Sequence, residues 1–307
     1  MKFGRSENNK KKTLLNQNHS MIDLNSLINL LNLEQKDTHH FVGQNYKTAW
    51  KRVFGGQVLG QSLHAAYQTV PKDRKVHSMH GYFILGGDID IPIDYHVDAI
   101  RDGRSFTTRR VVAFQEGKAI FNMAASFHLD EEGVDHQITM PNVLTPDLLL
   151  TDIQQASSLQ DEDPIRYQRL MISHPQVFEF RPVGKAIYLQ NHNSPPLSHI
   201  WFKTKEKIKA NIPLQHQLLA FASDYSLLLS ATLPHRKELD HDRMYYASLD
   251  HALWFHRDFV IDDWLLYAIE SPSASNARGY ARGSIFDQSG RMIASVSQEG
   301  LMRKFKI

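Results

Sequence analysis

The sequence contains no cysteine among its 307 residues. This absence excludes disulfide bonds, thiolate metal ligands and cysteine nucleophiles together, and it is typical of a reducing compartment. The first twenty residues carry charge but no apolar leader segment, and Arg303–Ile307 do not form a Ser-Lys-Leu signal. We therefore expect a cytoplasmic location.

Long apolar runs and a strong charge of one sign are also missing. No apolar run approaches the ~18 residues that a membrane-spanning helix requires, so we expect no stable membrane insertion. The net charge is +2, and no Lys/Arg stripe interleaved with aromatic residues occurs, so we expect no nucleic-acid partner. The G-x-S-x-G, P-loop and G-x-G-x-x-G motifs are absent, which argues against a serine elbow or a nucleotide-phosphate turn.

Histidine is abundant, with 17 residues, but it follows no metal-binding pattern. The candidate pairs lack H-E-x-x-H spacing and a recognisable third ligand; they are His39 with His40, His235 with His241, and His251 with His256. We therefore expect neither a metal nor a cofactor.

The residues that are present describe a globular chain with a substantial core. Hydrophobic residues make up 42% and charged residues 22% of the sequence. We expect a flexible tail over residues 1–20, which includes Lys10–Lys12. An amphipathic helix over Met21–Leu33, capped by Ser20, and an edge strand over Phe41–Asn45 should follow.

The next part of the chain predicts a helix packed on an antiparallel sheet. Apolar residues from Val58 to Tyr67 recur at helical spacing behind Gly55-Gly56, and Pro71 limits the helix. Four strand-like runs then alternate with glycine turns: Val76–Ile84, Ile93–Arg101, Thr107–Gln115 and Lys118–His128. This order favours the α+β class.

The second half of the chain repeats this pattern. A helix over Pro213–Leu229 lies between predicted strands, which are His199–Lys205, Ala247–Phe255, Trp264–Glu270, Arg278–Asp287 and Arg291–Glu299. The run S-M-H-G-Y-F (78–83) matches S-L-D-H-A-L-W-F (248–255). We expect two units whose sheets pair edge to edge into one continuous sheet, with a ligand site between them.

The predicted boundaries are 21–130 for the first unit and 199–307 for the second. Residues 131–198 are rich in proline and predict a linker with short helices, over Leu148–Leu159 and Pro164–Ile172.

Three polar residues interrupt apolar elements of the second unit and have no counterpart in the first. Asp224 lies in the middle of the predicted helix, Ser248 begins a strand, and Gln298 interrupts the last strand. A carboxylate in an apolar helix is unfavourable unless it is hydrogen-bonded. Each residue alone is typical of a structural polar group, but together they indicate a site. Strand alternation predicts that Ser248 and Asp250 share one face and that His251 lies on the other.

The chain resembles the acyl-CoA thioesterase II family, the double-hotdog thioesterases. The resemblance is carried by colinear motifs over about residues 40–305, which include V-F-G-G-Q-V-L-G-Q-S-L-H-A-A (53–66), R-D-G-R-S-F-T-T-R-R-V (101–111), F-A-S-D-Y (221–225), A-S-L-D-H-A-L-W-F-H-R (247–257) and Q-E-G-L-M-R (298–303). It implies a tandem hotdog fold and an enzyme that hydrolyses fatty acyl-CoA to free fatty acid and CoA.

The resemblance also implies a catalytic set of Asp224, Ser248 and Gln298, which together orient a water molecule. Ser248 stands where close relatives have threonine, so it keeps the hydroxyl but lacks the methyl group that restricts χ1. The residues leave open whether Asp224 acts as a general base or as a nucleophile. Backbone N–H groups near Gly55-Gly56 are candidates to stabilise the thioester oxyanion.

The remaining polar residues have weaker interpretations. Asp250 and His251 are expected to be structural, and Arg278 and Arg282 either meet CoA phosphates or are solvated. Two alternative functions stay open: a non-catalytic acyl-CoA-binding hotdog protein, and a hotdog enoyl-CoA hydratase. The hydratase would need an Asp/His pair at a helix start, which the sequence does not show. Since hotdog units commonly associate further, we expect a homo-oligomer.

Overall fold

The computed structural model describes residues 22–47, 52–174, 176–239 and 244–304. The predicted tail over 1–20, including the proposed cap Ser20, lies outside these residues. In the described chain, Asp23 caps the first helix, because its Oδ1 accepts a hydrogen bond from Ser26 N at 2.7 Å.

The first unit contains two helices and six strands. The helices are α1 (Leu24–Leu31) and α2 (Gly55–Tyr67); the strands are β1 (Glu34–Asp37), β2 (His40–Gly43), β3 (Lys75–Phe83), β4 (Ile93–Asp102), β5 (Phe106–Gln115) and β6 (Lys118–His128). The four predicted meander strands are observed within two residues of their expected ends. The predicted edge strand is β2, which is not at the edge because β1 pairs outside it.

The segment between the units carries short helices, as predicted, and one strand that the sequence did not indicate. Its elements are a 3-10 helix (Pro146–Leu148), α3 (Asp152–Gln155), α4 (Leu159–Glu162), α5 (Pro164–Ser173), β7 (Phe178–Pro182) and a 3-10 helix (Ile187–Leu189). β7 pairs with the strand that follows it, so this part of the segment extends the sheet of the second unit.

The second unit repeats the order of the first. Its elements are β8 (Leu197–Thr204), α6 (Ile212–Ser223), a 3-10 helix (Leu228–His235), β9 (Met244–Ser248), β10 (Asp250–Phe255), β11 (Leu265–Ser275), β12 (Arg278–Asp287) and β13 (Met292–Lys304). The α-helix α6 ends at Ser223 rather than at the predicted Leu229. Ser226 has a left-handed backbone with φ of 67°, and the apolar residues beyond it continue as a 3-10 helix.

All described strands belong to one antiparallel sheet. Its order is β1-β2-β4-β5-β6-β3-β10-β13-β12-β11-β8-β7, and β9 pairs with β13 off this path. The two units meet at β3 and β10, where Met79 lies opposite Leu253. The prediction of a continuous sheet built by edge-to-edge pairing is therefore confirmed, and the class is α+β.

Helices α2 and α6 pack closely against each other. A methyl group added at Gly56 would lie 2.3 Å from Phe221 O, and one at Gly60 would lie 3.2 Å from Gln217 O. Glycine at these positions thus permits contact between the two helix backbones. As a result, the end of α6 meets the start of α2, and this junction joins the two units away from the sheet.

Candidate functional site

Asp224 lies directly after α6, so it is not in the middle of a helix as predicted. Its half-buried side chain reaches the start of α2, where Gly56 N–H donates a hydrogen bond to the carboxylate. The N-cap residue of α2 is Phe54, which has no side-chain acceptor. Asp224 therefore caps α2 from the other unit, in a position that the helix dipole favours for an anion.

The two other predicted site residues contact the same carboxylate. Gln298 Nε2 donates to Asp224 Oδ1 at 2.9 Å, and Ser248 Oγ donates to that oxygen at 3.3 Å. Gln298 Nε2 also lies 2.5 Å from Ser248 Oγ. The structure thus brings together Asp224 from the residue after α6, Ser248 from β9 and Gln298 from β13.

A β-bulge turns Ser248 into the site. β10 pairs with β13 at Ala252↔Ser297, whereas β9 pairs with β13 at Ser248↔Gly300. The segment from Ser248 to Ala252 therefore has one residue more than the segment of β13 that it faces. Because side chains alternate along a strand, the extra residue places Ser248 on the same face as His251. The prediction that Ser248 shares a face with Asp250 is therefore wrong.

Asp250 has a structural role at this bulge. Its Oδ1 accepts a hydrogen bond from Glu299 N at 2.7 Å, and Leu249 N donates to Glu299 O at 2.9 Å. These contacts satisfy backbone groups where the regular ladder is interrupted. The carboxylate of Asp250 thus supports the bent strand.

The surroundings of Asp224 make its carboxylate more basic than a solvated one. Burial raises the pKa of Asp224, while hydrogen bonds from Gln298, the Gly56 backbone and Ser248 oppose this rise. Removal from water favours the neutral acid, and each donor favours the ionised form. The site therefore holds a desolvated carboxylate stabilised by three donors.

Two contacts at the site were not found by sequence reasoning. Gly56 N–H points to Asp224 itself rather than to a separate oxyanion position, and a methyl group at Gly55 would lie 2.6 Å from Asp224 Oδ2. The second is electrostatic: burial raises the pKa of the Tyr46 phenol, and the nearby charge of Asp224 adds to this rise. The Gly-Gly helix start behind an apolar N-cap residue was a usable signal for the first contact.

The other candidate ligands lie elsewhere. Arg278 Nε binds Glu299 Oε1 at 2.9 Å, and Arg282 Nε binds Glu270 Oε1 at 2.6 Å, so both arginines are paired on the sheet surface. Within the described residues, a single group of three His or acidic side chains has all its ligand atoms within 4.8 Å of one another, and it lies on β2 and β4 outside the site; its members are His40, Asp94 and His96. Of the helices that the structure describes, none is long and apolar enough to span a bilayer.

Comparison with known proteins agrees with this fold. The family model for the acyl-CoA thioesterase N-terminal domain matches residues 45–128, and the acyl-CoA thioesterase model matches residues 173–301. A conserved protein with a hot dog fold from Alicyclobacillus acidocaldarius, 16% identical, has a TM-score of 0.73 and covers 92% of this chain and 99% of its own. This similarity supports the fold alone.

Closer relatives span almost the whole chain. Acyl-CoA thioesterase 2 of Haemophilus influenzae is 40% identical, covering 91% of this chain and 98% of its own length. Human acyl-coenzyme A thioesterase 8 is 37% identical, with 92% and 90% covered. The crystal structure of acyl-CoA thioesterase II TesB2 from Mycobacterium marinum is 36% identical with a TM-score of 0.76, covering 91% of this chain and 99% of that one. The chain therefore belongs to the acyl-CoA thioesterase II family, whose members fold as double hotdogs.

Proposed function

We propose that this enzyme hydrolyses fatty acyl-CoA to a free fatty acid and CoA, using a water molecule activated by Asp224. The family supports the acyl-CoA thioesterase activity. The observation that carries the mechanism is the convergence of Ser248, Gln298 and the start of α2 on one desolvated carboxylate.

The reaction divides into two proton transfers around one intermediate. The water oxygen attacks the thioester carbonyl carbon while Asp224 takes one of its protons as general base. The tetrahedral intermediate then collapses, the carbon–sulfur bond breaks, and the proton from Asp224 neutralises the departing thiolate. The products are the free acid and the CoA thiol, and the carboxylate is restored.

Ser248 and Gln298 contribute orientation in this mechanism. Both donate to Oδ1, which fixes the carboxylate plane and leaves Oδ2 on the side of Gly55. Fixing the base relative to the bound thioester reduces the entropy that the reaction must lose in its transition state. Serine at 248 supplies the donor without a β-methyl group, and the short contact with Gln298 compensates by restricting its rotamer.

Removal of the base tests this proposal. We expect Asp224→Ala to lower kcat by about 10²- to 10⁴-fold, because general-base catalysis typically contributes that much. Release of free thiol from a panel of acyl-CoAs is the measurement, and Asp98→Ala, which removes a surface carboxylate paired with Arg110, is the matched control. A variant that keeps the full rate would show that Asp224 is not the base.

Isotope labelling tests for a nucleophilic Asp224 whose anhydride is hydrolysed at the aspartyl carbon. In a single turnover in H₂¹⁸O, a base mechanism places ¹⁸O in every new fatty acid molecule. An aspartyl anhydride resolved by attack on Asp224 would instead deliver an unlabelled oxygen to the acid and label the enzyme. The same reactions also test the alternatives, because a binding protein releases no thiol and a hydratase converts enoyl-CoA to hydroxyacyl-CoA.

A further inference from the structure

Two neighbouring side chains on the sheet hold two consecutive residues at the end of α6. His251 Nε2 lies 2.9 Å from Ser223 Oγ, and Gln298 Nε2 lies 2.9 Å from Asp224 Oδ1. Both His251 and Gln298 are only 1% exposed. Two buried side chains of the sheet therefore contact the last residue of α6 and the residue after it.

The strand register places His251 and Gln298 side by side. β10 and β13 pair at Leu253↔Val296 and Ala252↔Ser297, and the next position along the ladder brings His251 to Gln298. Leu253 and Val296 are buried on the helix-facing side of the sheet. Because side chains alternate, His251 and Gln298 face the helices as well. Directly opposite residues of this kind have Cβ atoms about 5 Å apart.

Ser223 is fixed from three directions. Its Oγ donates to Ala220 O at 2.9 Å, its carbonyl oxygen accepts from Tyr267 Oη at 3.1 Å, and its hydroxyl contacts His251. Since Ser223 Oγ gives its hydrogen to Ala220, the imidazole must donate through Nε2. This tautomer leaves Nδ1 of His251 as an acceptor.

Each member of the pair keeps one buried atom without a hydrogen-bond partner. These atoms are His251 Nδ1 and Gln298 Oε1, and both are acceptors in the arrangement above. A buried polar atom without a partner is unfavourable by about 1–3 kcal/mol. A water molecule between the two side chains would satisfy both atoms, because it can donate one hydrogen to each.

We propose that His251 is a positioning residue for Asp224, acting through Ser223 and through a water molecule that it shares with Gln298. This role rests on the proposed function of Asp224 as the base. The imidazole orients the end of α6 on one side, and through the shared water it keeps the Gln298 amide turned with Nε2 towards the carboxylate. It neither touches the substrate nor exchanges a proton with it.

The surroundings of His251 agree with a neutral ring. Burial lowers the pKa of His251 to about 3, so the imidazole is uncharged at any pH used for assay. A catalytic histidine would instead titrate within the pH profile. The positioning role therefore predicts a loss of kcat without the loss of an ionisation.

Four variants of the full-length enzyme test this role. His251→Phe keeps the ring volume and removes both nitrogens, and we expect kcat to fall about 10- to 100-fold with KM within about two-fold, since misplacement by 1 Å can have this effect. His251→Gln keeps a donor near Nε2 and should recover most of the loss. Ser223→Ala removes the other partner, and the Ser223→Ala/His251→Phe double variant should lose little more than either single variant.

The outcomes separate this role from a purely structural one. The kcat values are compared at a temperature where circular dichroism shows every variant folded. The acid limb should persist in every variant, because His251 contributes no ionisation to it. The role is overturned if His251→Phe keeps the wild-type kcat, if its loss appears in KM alone, or if the losses with Ser223→Ala add fully. If His251→Phe fails to fold, Ser223→Ala decides instead, and a wild-type kcat or a loss in KM alone in that variant overturns the role. An active Asp224→Ala variant would overturn the proposed function itself, whereas an unaffected His251→Phe beside an inactive Asp224→Ala overturns only this inference.

Discussion

The two ends of the α2–α6 helix pair are related by the repeat but differ in chemistry. Where α2 begins and α6 ends, a carboxylate from one unit caps the helix of the other. Where α6 begins and α2 ends, Asn211 caps its own helix by accepting from Leu214 N at 3.0 Å, and Tyr67 Oη lies 2.6 Å from His216 Nδ1. One end thus contains an anion in a helix dipole, and the other contains neutral, paired groups.

A cavity lies at the second end, and its lysine is already ion-paired. The cavity has a volume of about 210 Å³, and Lys75 and His216 contribute to its lining. Lys75 Nζ lies 2.8 Å from both Asp130 and Asp258, and burial lowers the pKa of His216 to about 3. The difference teaches that a helix start built from glycine, without a side-chain cap of its own, leaves room for a carboxylate from the other unit.

The largest effect is expected when a side chain is added where α2 and α6 approach each other near Asp224. We expect Gly56→Ala to lower the free energy of unfolding by about 3 kcal/mol or more, because its methyl group would lie 2.3 Å from the Phe221 carbonyl oxygen. Urea denaturation measures this change. Gly133→Ala, where nothing lies within 4 Å, is the control and should stay within about 0.5 kcal/mol. Equal stability of the two variants would contradict the close approach.

The next prediction compares how substitutions at the two helix starts change kcat. Gly55 and Ile212 each follow the N-cap residue of their helix. We expect Gly55→Ala to lower kcat about 10- to 100-fold. The added methyl group would lie 2.6 Å from Asp224 Oδ2 and would displace the carboxylate. Ile212→Ala at the other end should leave kcat unchanged in the thiol-release assay. Wild-type kcat in the Gly55 variant would argue against the observed carboxylate position.

The pH profile distinguishes the two ends by the groups that titrate. In the proposed mechanism Asp224 must be ionised, so kcat/KM should fall as the pH drops through the raised pKa of this residue. Gln298→Leu removes a donor that lowers this pKa, so the acid limb should move upward. Tyr67→Phe should leave the limb in place. A downward shift in the Gln298 variant would contradict Asp224 as the base.

The smallest effect concerns the conventional cap. Asn211→Ala removes the acceptor for Leu214 N and should lower the free energy of unfolding by about 1 kcal/mol, with kcat unchanged. Denaturation and thiol release on the same preparation measure both quantities. A clear loss of kcat would mean that the two helix starts are coupled more tightly than their contacts indicate.

Much of the sheet could be predicted from local signals. The strands of the first unit are bounded by turn residues such as Glu116 and Gly117, both of which have positive φ, so their limits are visible in the sequence. The end of α6 could not be found in this way. Leu227 to Leu229 continue the apolar pattern, whereas the break depends on the backbone of Ser226 and on contacts from another unit.

The candidate site was predictable in composition but not in geometry. Asp224, Ser248 and Gln298 stood out as polar residues in apolar elements. The face of Ser248 depended on a β-bulge, which is defined only by counting residues on two paired strands. The donation from Gly56 is likewise a contact between distant segments that spacing along the chain does not encode.

The joint between β3 and β10 has a consequence for synthesis of the chain. Its partners, such as Met79 and Leu253, are separated by roughly 170 residues, so β3 is translated long before its neighbour. At about 5–20 residues per second, its outer edge waits roughly 10–35 s on the ribosome with backbone groups unpaired. During that interval the first unit presents a strand edge open to pairing with other nascent chains, and the arrival of β10 closes it.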